Sequence, residues 1–193
     1  MWLLWVVVAL AFAGTALRAR ADSGGWNGAL EADLRHGGHV LLVRHAATEP
    51  GLGDPPGFRL GECDTQRNLS AAGRVQAQAL GAALRDRRIP VAEVRSSRWC
   101  RCVDTARLAF DGLAPVIPWP ELDSFFDDRA AAPARTPALL AAARSVPKGA
   151  NVVWVTHQVN ITAFTGVVPV PGEIVVVRVG ADGVIVVARL PAE

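Results

Sequence analysis

Two apolar runs without alternation, His39 to Val43 and Val152 to Thr156, predict strands buried on both faces of a largely parallel sheet. Val91 to Ser96 and the short Ala114 to Ile117 predict two more. Helical spacing fills the gaps between them. It runs from about Trp26 to Arg35, from Cys100 to Phe110 and from Thr136 to Ser145. It also follows Ser70, a good N-cap residue, through Val75, Ala79, Leu80, Ala83 and Leu84, until Arg85-Asp86-Arg87-Arg88 and Pro90 stop it. After His157 the pattern changes. Glu173 to Val179 and Val184 to Leu190, joined by Gly180-Ala181-Asp182-Gly183, predict a hairpin at the sheet edge. The alternation of strand and helix predicts an α/β fold, a three-layer α/β/α sandwich with a mostly parallel central sheet. No internal repeat is found. The stretch Glu49 to Arg67, rich in Gly, Pro and charge, is long for a connection and is expected to overhang the end of the first strand.

The chain has 193 residues, enough for one domain with a full core. Residues 1–21 are set apart as a signal peptide: Trp2 to Leu17 is nearly uncharged and apolar, and Ala19 and Ala21 offer a small-residue cleavage site. An uncleaved anchor is the alternative, although about 20 apolar residues are usual for a span. Residues 22–193 would then form the domain, in the periplasm or secreted. The leader carries Arg18 and Arg20 and no acidic residue, so the remainder has 18 Lys+Arg against 18 Asp+Glu. The basic excess thus belongs to the leader. With no Lys/Arg stripe interleaved with aromatics, nucleic acid is not an expected partner. Three cysteines in an exported chain predict one disulfide and one free thiol. Cys63 to Cys100 is favoured over Cys63 to Cys102.

Candidate chemistry lies at strand ends. Leu41-Leu42-Val43 delivers Arg44-His45 to the carboxyl end of its strand, where ligands of open α/β sheets bind. Arg offers a fork of charged donors and His a nucleophile, a pair suited to phosphate. A second apolar strand ends in His157. Between them lie Ser97-Arg98-Trp99-Cys100-Arg101-Cys102-Val103-Asp104-Thr105-Ala106 and the acidic segment Glu121-Leu122-Asp123-Ser124-Phe125-Phe126-Asp127-Asp128. His36 and His39, beside Gly37-Gly38, are read as a helix end and a strand start. Gln158 and Asn160 are positioned to touch a substrate.

In this order the segments resemble the histidine phosphatase superfamily, the phosphoglycerate-mutase-like fold with its Arg-His-Gly signature, over most of the chain after the leader. Arg44-His45 falls on the signature pair, with Ala46 where glycine is more usual. Asn68-Leu69-Ser70-Ala71-Ala72-Gly73-Arg74-Val75-Gln76-Ala77 is similar to the family's Leu-Thr-x-x-Gly-x-x-Gln-Ala helix start. Arg101, four residues before Thr105, resembles the second phosphate-binding arginine in preference to Arg98, and His157 the second histidine. The resemblance implies His45 as the nucleophile forming a phosphohistidine. Arg44, Arg101 and a protonated His157 would cradle the phosphate, with no metal and no cofactor. It also exposes a departure. Where family members acting on poor leaving groups carry a glutamate, this chain has Leu122-Asp123-Ser124, leaving Asp123 as a substitute proton donor.

The expected function is therefore a metal-independent phosphatase acting on a phosphomonoester or phosphoramidate in the cell envelope. Its expected partner is a small-molecule or glycan phosphate, with membrane contact only through an uncleaved leader. The alternative is a non-catalytic phosphate-binding or envelope interaction module on the same fold.

Overall fold

The computed structural model describes residues 25–192 apart from Arg129 and Ala131, so the leader lies outside the described residues. In chain order the elements are α1 (Gly28–His36), β1 (Val40–Arg44), α2 (Ala71–Asp86), β2 (Val91–Ser96), α3 (Cys100–Phe110), β3 (Val116–Pro118), α4 (Ala132–Arg144), β4 (Asn151–Thr156), α5 (Gln158–Thr165), β5 (Ile174–Gly180) and β6 (Gly183–Leu190). The strands form one sheet in the order β3-β2-β4-β1-β5-β6. β3, β2, β4 and β1 run parallel, while β5 and β6 add the antiparallel edge predicted from the hairpin pattern.

The two faces of the central strands explain their lack of alternation. Leu41 and Val43 of β1, with Val153 and Val155 of β4, pack under Leu30, Leu34, Leu80, Leu84, Ala106 and Phe110 of α1, α2 and α3. Val40 and Leu42, with Val152 and Trp154, pack against Leu139, Ala143, Ile161 and Phe164 of α4 and α5. An apolar side chain pointing either way finds a helix layer, which is why both parities are apolar. Among the described residues, no helix is long and apolar enough to cross a membrane.

Helix starts follow local chemistry. Asn27 caps α1 by accepting from the Leu30 N–H at 3.0 Å, and Ser70 caps α2 by accepting from the Gly73 N–H at 3.0 Å. Gly73 is also where α2 meets the segment after β1: a Cβ there would stand 1.8 Å from the Ala47 carbonyl oxygen. Only glycine lets that approach occur, and the contact fixes the chain immediately beyond His45. Two elements depart from expectation. α4 begins at Ala132, before the expected Thr136, and carries Pro137 within it. α5 was not expected: its eight residues include the β-branched Val159, Ile161, Thr162 and Thr165, weak helix formers. Burial of Ile161 and Phe164 against the sheet overrides that weak propensity.

Candidate active site

The sheet register assembles the site. β1 and β4 are neighbours with Arg44 opposite Thr156, and the pairing continues one residue further through His45 N–H donating to the Thr156 carbonyl at 2.9 Å. The residues at the two strand ends, His45 and His157, therefore emerge side by side, with ring centroids 5.4 Å apart. Arg101 comes from the first turn of α3, which Thr105 Oγ1 ties to the segment after β1. That hydroxyl accepts from the Ala46 N–H at 3.0 Å and donates to the Arg101 carbonyl at 2.7 Å.

A cavity of about 100 Å³ opens here, lined by Arg44, His45, Arg67, Arg101 and His157 with Asp54 and Trp99 close by. His45 is 5 % exposed. Its Nδ1 lies 2.9 Å from the Ala46 carbonyl, which can only accept, so Nδ1 carries the proton and Nε2 keeps its lone pair. Burial, reinforced by the charges of Arg101, Arg44 and Arg67 and opposed by the Ala46 bond, lowers its pKa to about 3. His45 is therefore unprotonated throughout the neutral range.

The arginines are arranged for an anion. Arg44 donates through Nη1 to the Pro169 carbonyl at 2.8 Å, and burial followed by the nearby Arg67 lowers its pKa. Arg101 donates through Nη1 to Asp54 Oδ1 at 2.7 Å. Among the described residues, neither Arg44 Nε nor Arg101 Nε has a hydrogen-bond partner, although both are buried. Buried donors without acceptors are costly unless a ligand supplies them. Arg67 is held by Thr48 Oγ1 at 2.6 Å and by the Gly53 carbonyl at 2.7 Å.

Asp54 joins these parts. Its carboxylate accepts from Arg101, from the Arg67 backbone N–H at 3.0 Å and from Trp99 Nε1 at 3.0 Å. Burial alone would raise its pKa, but the bonds from Arg101, Arg67 and Trp99 outweigh it and the net shift is downward. Asp54 and Arg67 lie in the long segment 49–67, which does overhang the site. A disulfide between Cys63 and Cys100 fastens that segment to the start of α3, and Cys102 remains free and buried. Burial pushes the Cys102 thiol up to about 12, so it is no nucleophile.

His157 differs from expectation in its charge. It is 4 % exposed, and burial first, then His45, Arg101 and Arg44, hold its pKa well below the usual histidine value. The site therefore holds a neutral ring rather than an imidazolium. Its Nε2 lies 2.9 Å from Ser97 Oγ, which donates to Asp123 Oδ1 at 3.2 Å. Nε2–H thus donates to Ser97, and Nδ1 is left for the cavity. A phosphate dianion beside Nδ1 would favour its protonation, with Ser97 and Asp123 supporting the charge from behind.

The geometry brings Arg44, His45, Arg101 and His157 around one cavity. It does not bring Asp123 there. That carboxylate is 2 % exposed and points away from the lining, accepting from the Arg98 N–H at 2.8 Å and from Arg98 Nε at 2.7 Å. Its oxygens are taken up by Arg98 and Ser97 and it does not line the cavity, so the structure does not bring the expected donor to the site. Arg98 is accordingly its partner and not a cavity residue. Of the other candidates, Gln158 lines the cavity, while Asn160 donates to the Asp123 carbonyl at 2.9 Å and is structural. His36 and His39 lie elsewhere, bonded to the Ala32 carbonyl and to Asp33. Sequence reasoning missed Asp54, Arg67 and Trp99. The one available signal was that Arg67 immediately precedes the Asn68-Leu69-Ser70 helix start. Among the described residues, no group of three or more His, Cys, Asp or Glu side chains is placed to hold a metal.

Comparison with known proteins agrees with this geometry. A search of curated protein sequences finds no significant match. Among solved structures, the protein histidine phosphatase SixA in complex with tungstate superposes with a TM-score of 0.55 at 16 % identity, covering 80 % of this chain and 97 % of that one. The alpha-ribazole phosphatase of Shigella flexneri gives 0.55 at 20 %, covering 80 % and 96 %. A variant of the phosphoserine phosphatase of Entamoeba histolytica, bound to phosphoserine, gives 0.57 at 14 %, covering 80 % and 98 %. At such identities the likeness establishes the phosphoglycerate-mutase-like fold. Residues 40–126, which carry Arg44, His45 and Arg101, match the family model of the histidine phosphatase superfamily, branch 1, so over this part of its length the chain is similar to that superfamily.

Proposed function

We propose that the protein hydrolyses a phosphomonoester or phosphoramidate without a metal, through a phosphohistidine on His45, in the cell envelope. The observation that carries this reading is the neutral Nε2 of His45 facing a cavity with three guanidinium groups. In the first step the Nε2 lone pair forms a bond to phosphorus as the bond to the leaving oxygen or nitrogen breaks, and the leaving group departs with the bonding electrons. Arg44, Arg67 and Arg101 hold the three non-bridging oxygens, with forked donors suited to their geometry. Water then attacks phosphorus, releasing inorganic phosphate and restoring the neutral imidazole. With Asp123 committed to Arg98, no carboxylate stands at the family's acid position, where Ser124 is found. The leaving group therefore departs with little help from a protein proton, which favours activated phosphates and phosphoramidates. The disulfide supports an oxidising compartment, and with it the envelope.

The test is hydrolysis of an activated aryl phosphate in the presence of chelator, with label from a ³²P-phosphoryl donor trapped as an acid-labile, base-stable adduct. His45→Ala should abolish both turnover and label. Arg101→Ala should weaken vanadate binding roughly 10- to 100-fold, the loss of a hydrogen bond to a charged group. Vanadate binding without turnover or label would instead favour the phosphate-binding module.

A further inference from the structure

Three ion pairs of this protein take the arginine side on. Arg98 meets Asp123 through Nε and Nη2, Arg189 meets Glu173 through the same two nitrogens, and so does Arg59 with Glu62. Those two nitrogens present parallel N–H groups on one edge of the planar guanidinium, which makes that edge the forked match for a carboxylate or a phosphate. Arg101 and Asp54 pair differently. Their side chains are only 5 % and 7 % exposed, yet Asp54 Oδ1 accepts from Nη1 at 2.7 Å and takes nothing from Nε or Nη2. Among the described residues, Nη1 also approaches the Arg67 carbonyl at 3.5 Å, while the other two nitrogens of Arg101 make no hydrogen bond and Nε is buried. Arg44 repeats the arrangement, with Nη1 donating to the Pro169 carbonyl and a buried Nε again without a partner. Both side chains line the cavity.

We infer that Asp54 is a positioning residue: by holding Arg101 at Nη1 it turns the Nε and Nη2 edge toward the phosphoryl group. The inference rests on the phosphate-binding part of the phosphatase reading and deepens it, because a side-on ion pair would use up the edge that the phosphate needs. Asp54 keeps this pose because two further contacts fix it. The Arg67 backbone N–H donates to Oδ1 at 3.0 Å and Trp99 Nε1 donates to Oδ2 at 3.0 Å. The carboxylate cannot swing round to meet Arg101 with both oxygens without giving up those bonds. The Arg101 backbone is set by the first turn of α3, so the Asp54 bond governs the freedom that remains, rotation along the side chain. That freedom matters, since a misplacement of about 1 Å can cost roughly 100-fold where a reaction depends on aligned groups.

The experiment is a double-substitution cycle read by vanadate affinity, with Tm measured for each variant to confirm folding. Asp54→Ala should weaken vanadate binding about tenfold in the wild-type background. In the Arg101→Ala background it should change affinity by no more than about twofold, because residues that act through one contact are not additive. Asp54→Asn separates position from charge. Its amide oxygen would face the two donors Arg101 Nη1 and Arg67 N–H in preference to the single donor of Trp99, so affinity should stay within about threefold of wild type. Unchanged or tighter binding by Asp54→Ala would make Asp54 a bystander or a competing anion, and a further tenfold loss in the Arg101→Ala background would make it a support of its own segment. Either result overturns the inference, as does a folded Asp54→Asn that loses tenfold. Wild type that shows the expected coupling but turns over no aryl phosphate would overturn the phosphatase reading and leave the positioning role standing. Wild type that fails to bind vanadate would overturn both.

Discussion

Asp123→Asn keeps the shape of the side chain and removes its charge, so it separates a structural carboxylate from a proton donor. Asp123 accepts from Ser97 Oγ, the Arg98 N–H, Arg98 Nε and Arg98 Nη2. Breaking a fully buried ion pair costs about 3–5 kcal/mol, and a surface pair contributes about 0–1. Here the acid side chain is 3 % exposed and its partner 47 %, which places the loss between those limits, at about 2 kcal/mol. A domain of this size loses roughly 2–4 °C of Tm per kcal/mol, so thermal unfolding should fall by about 4–8 °C. In catalysis the substitution acts through Ser97 on His157. Removing the charge behind Ser97 makes protonation of His157 harder, so vanadate binding should weaken at neutral pH and recover at lower pH. The decisive assay is a series of aryl phosphates of rising leaving-group pKa. Parallel slopes for wild type and variant, with the Tm loss, are expected from a carboxylate held by Arg98. A slope that steepens in the variant while Tm stays put would refute the argument and make Asp123 the general acid.

The two buried histidines make stability pH-dependent in a definite direction. Both have folded-state pKa values below the unfolded value of about 6.5, His45 at about 3, so the unfolded chain binds more protons and stability is lost as pH falls below about 6.5. Each fully contributing histidine adds about 1.4 kcal/mol per pH unit in that window. Urea unfolding at pH 7 and pH 5 should show a smaller drop for His45→Gln than for wild type, and an equal drop would contradict a neutral His45 in the folded chain. Reduction of Cys63–Cys100 opens a 37-residue separation whose closure contributes about 4 kcal/mol. It also frees the segment carrying Asp54 and Arg67, so dithiothreitol should lower Tm and weaken vanadate affinity together. Unchanged affinity in the reduced, folded protein would show that the tether does not position those two residues.

What the sequence made legible, and what it did not, follows from how each feature is encoded. β1 and β4 were readable because burial on both faces leaves an unbroken apolar run. Arg44, His45, Arg101 and His157 were readable because they end strands or start a helix, where spacing fixes their place. Asp54 and Arg67 lie in a segment with no period. Their position depends on a disulfide to Cys100 and on contacts with Arg101 that link residues 47 and 34 positions apart. Asp123 was found by its neighbours in sequence, but a turn residue can face either side, and only the nearby Arg98 decides which. α5 was hidden because its β-branched residues argue against a helix that packing nonetheless imposes.

Because His45 and His157 leave adjacent parallel strands at paired positions, their separation is inherited from the repeat distance between strands, about 4.8 Å, rather than from side-chain fit. Evolution, or a protein engineer, can therefore change the residues around the cavity without altering the spacing of the two histidines. Innovation in such a fold is confined to its periphery, and the spacing that the reaction needs is protected by backbone hydrogen bonds that no single side-chain substitution removes.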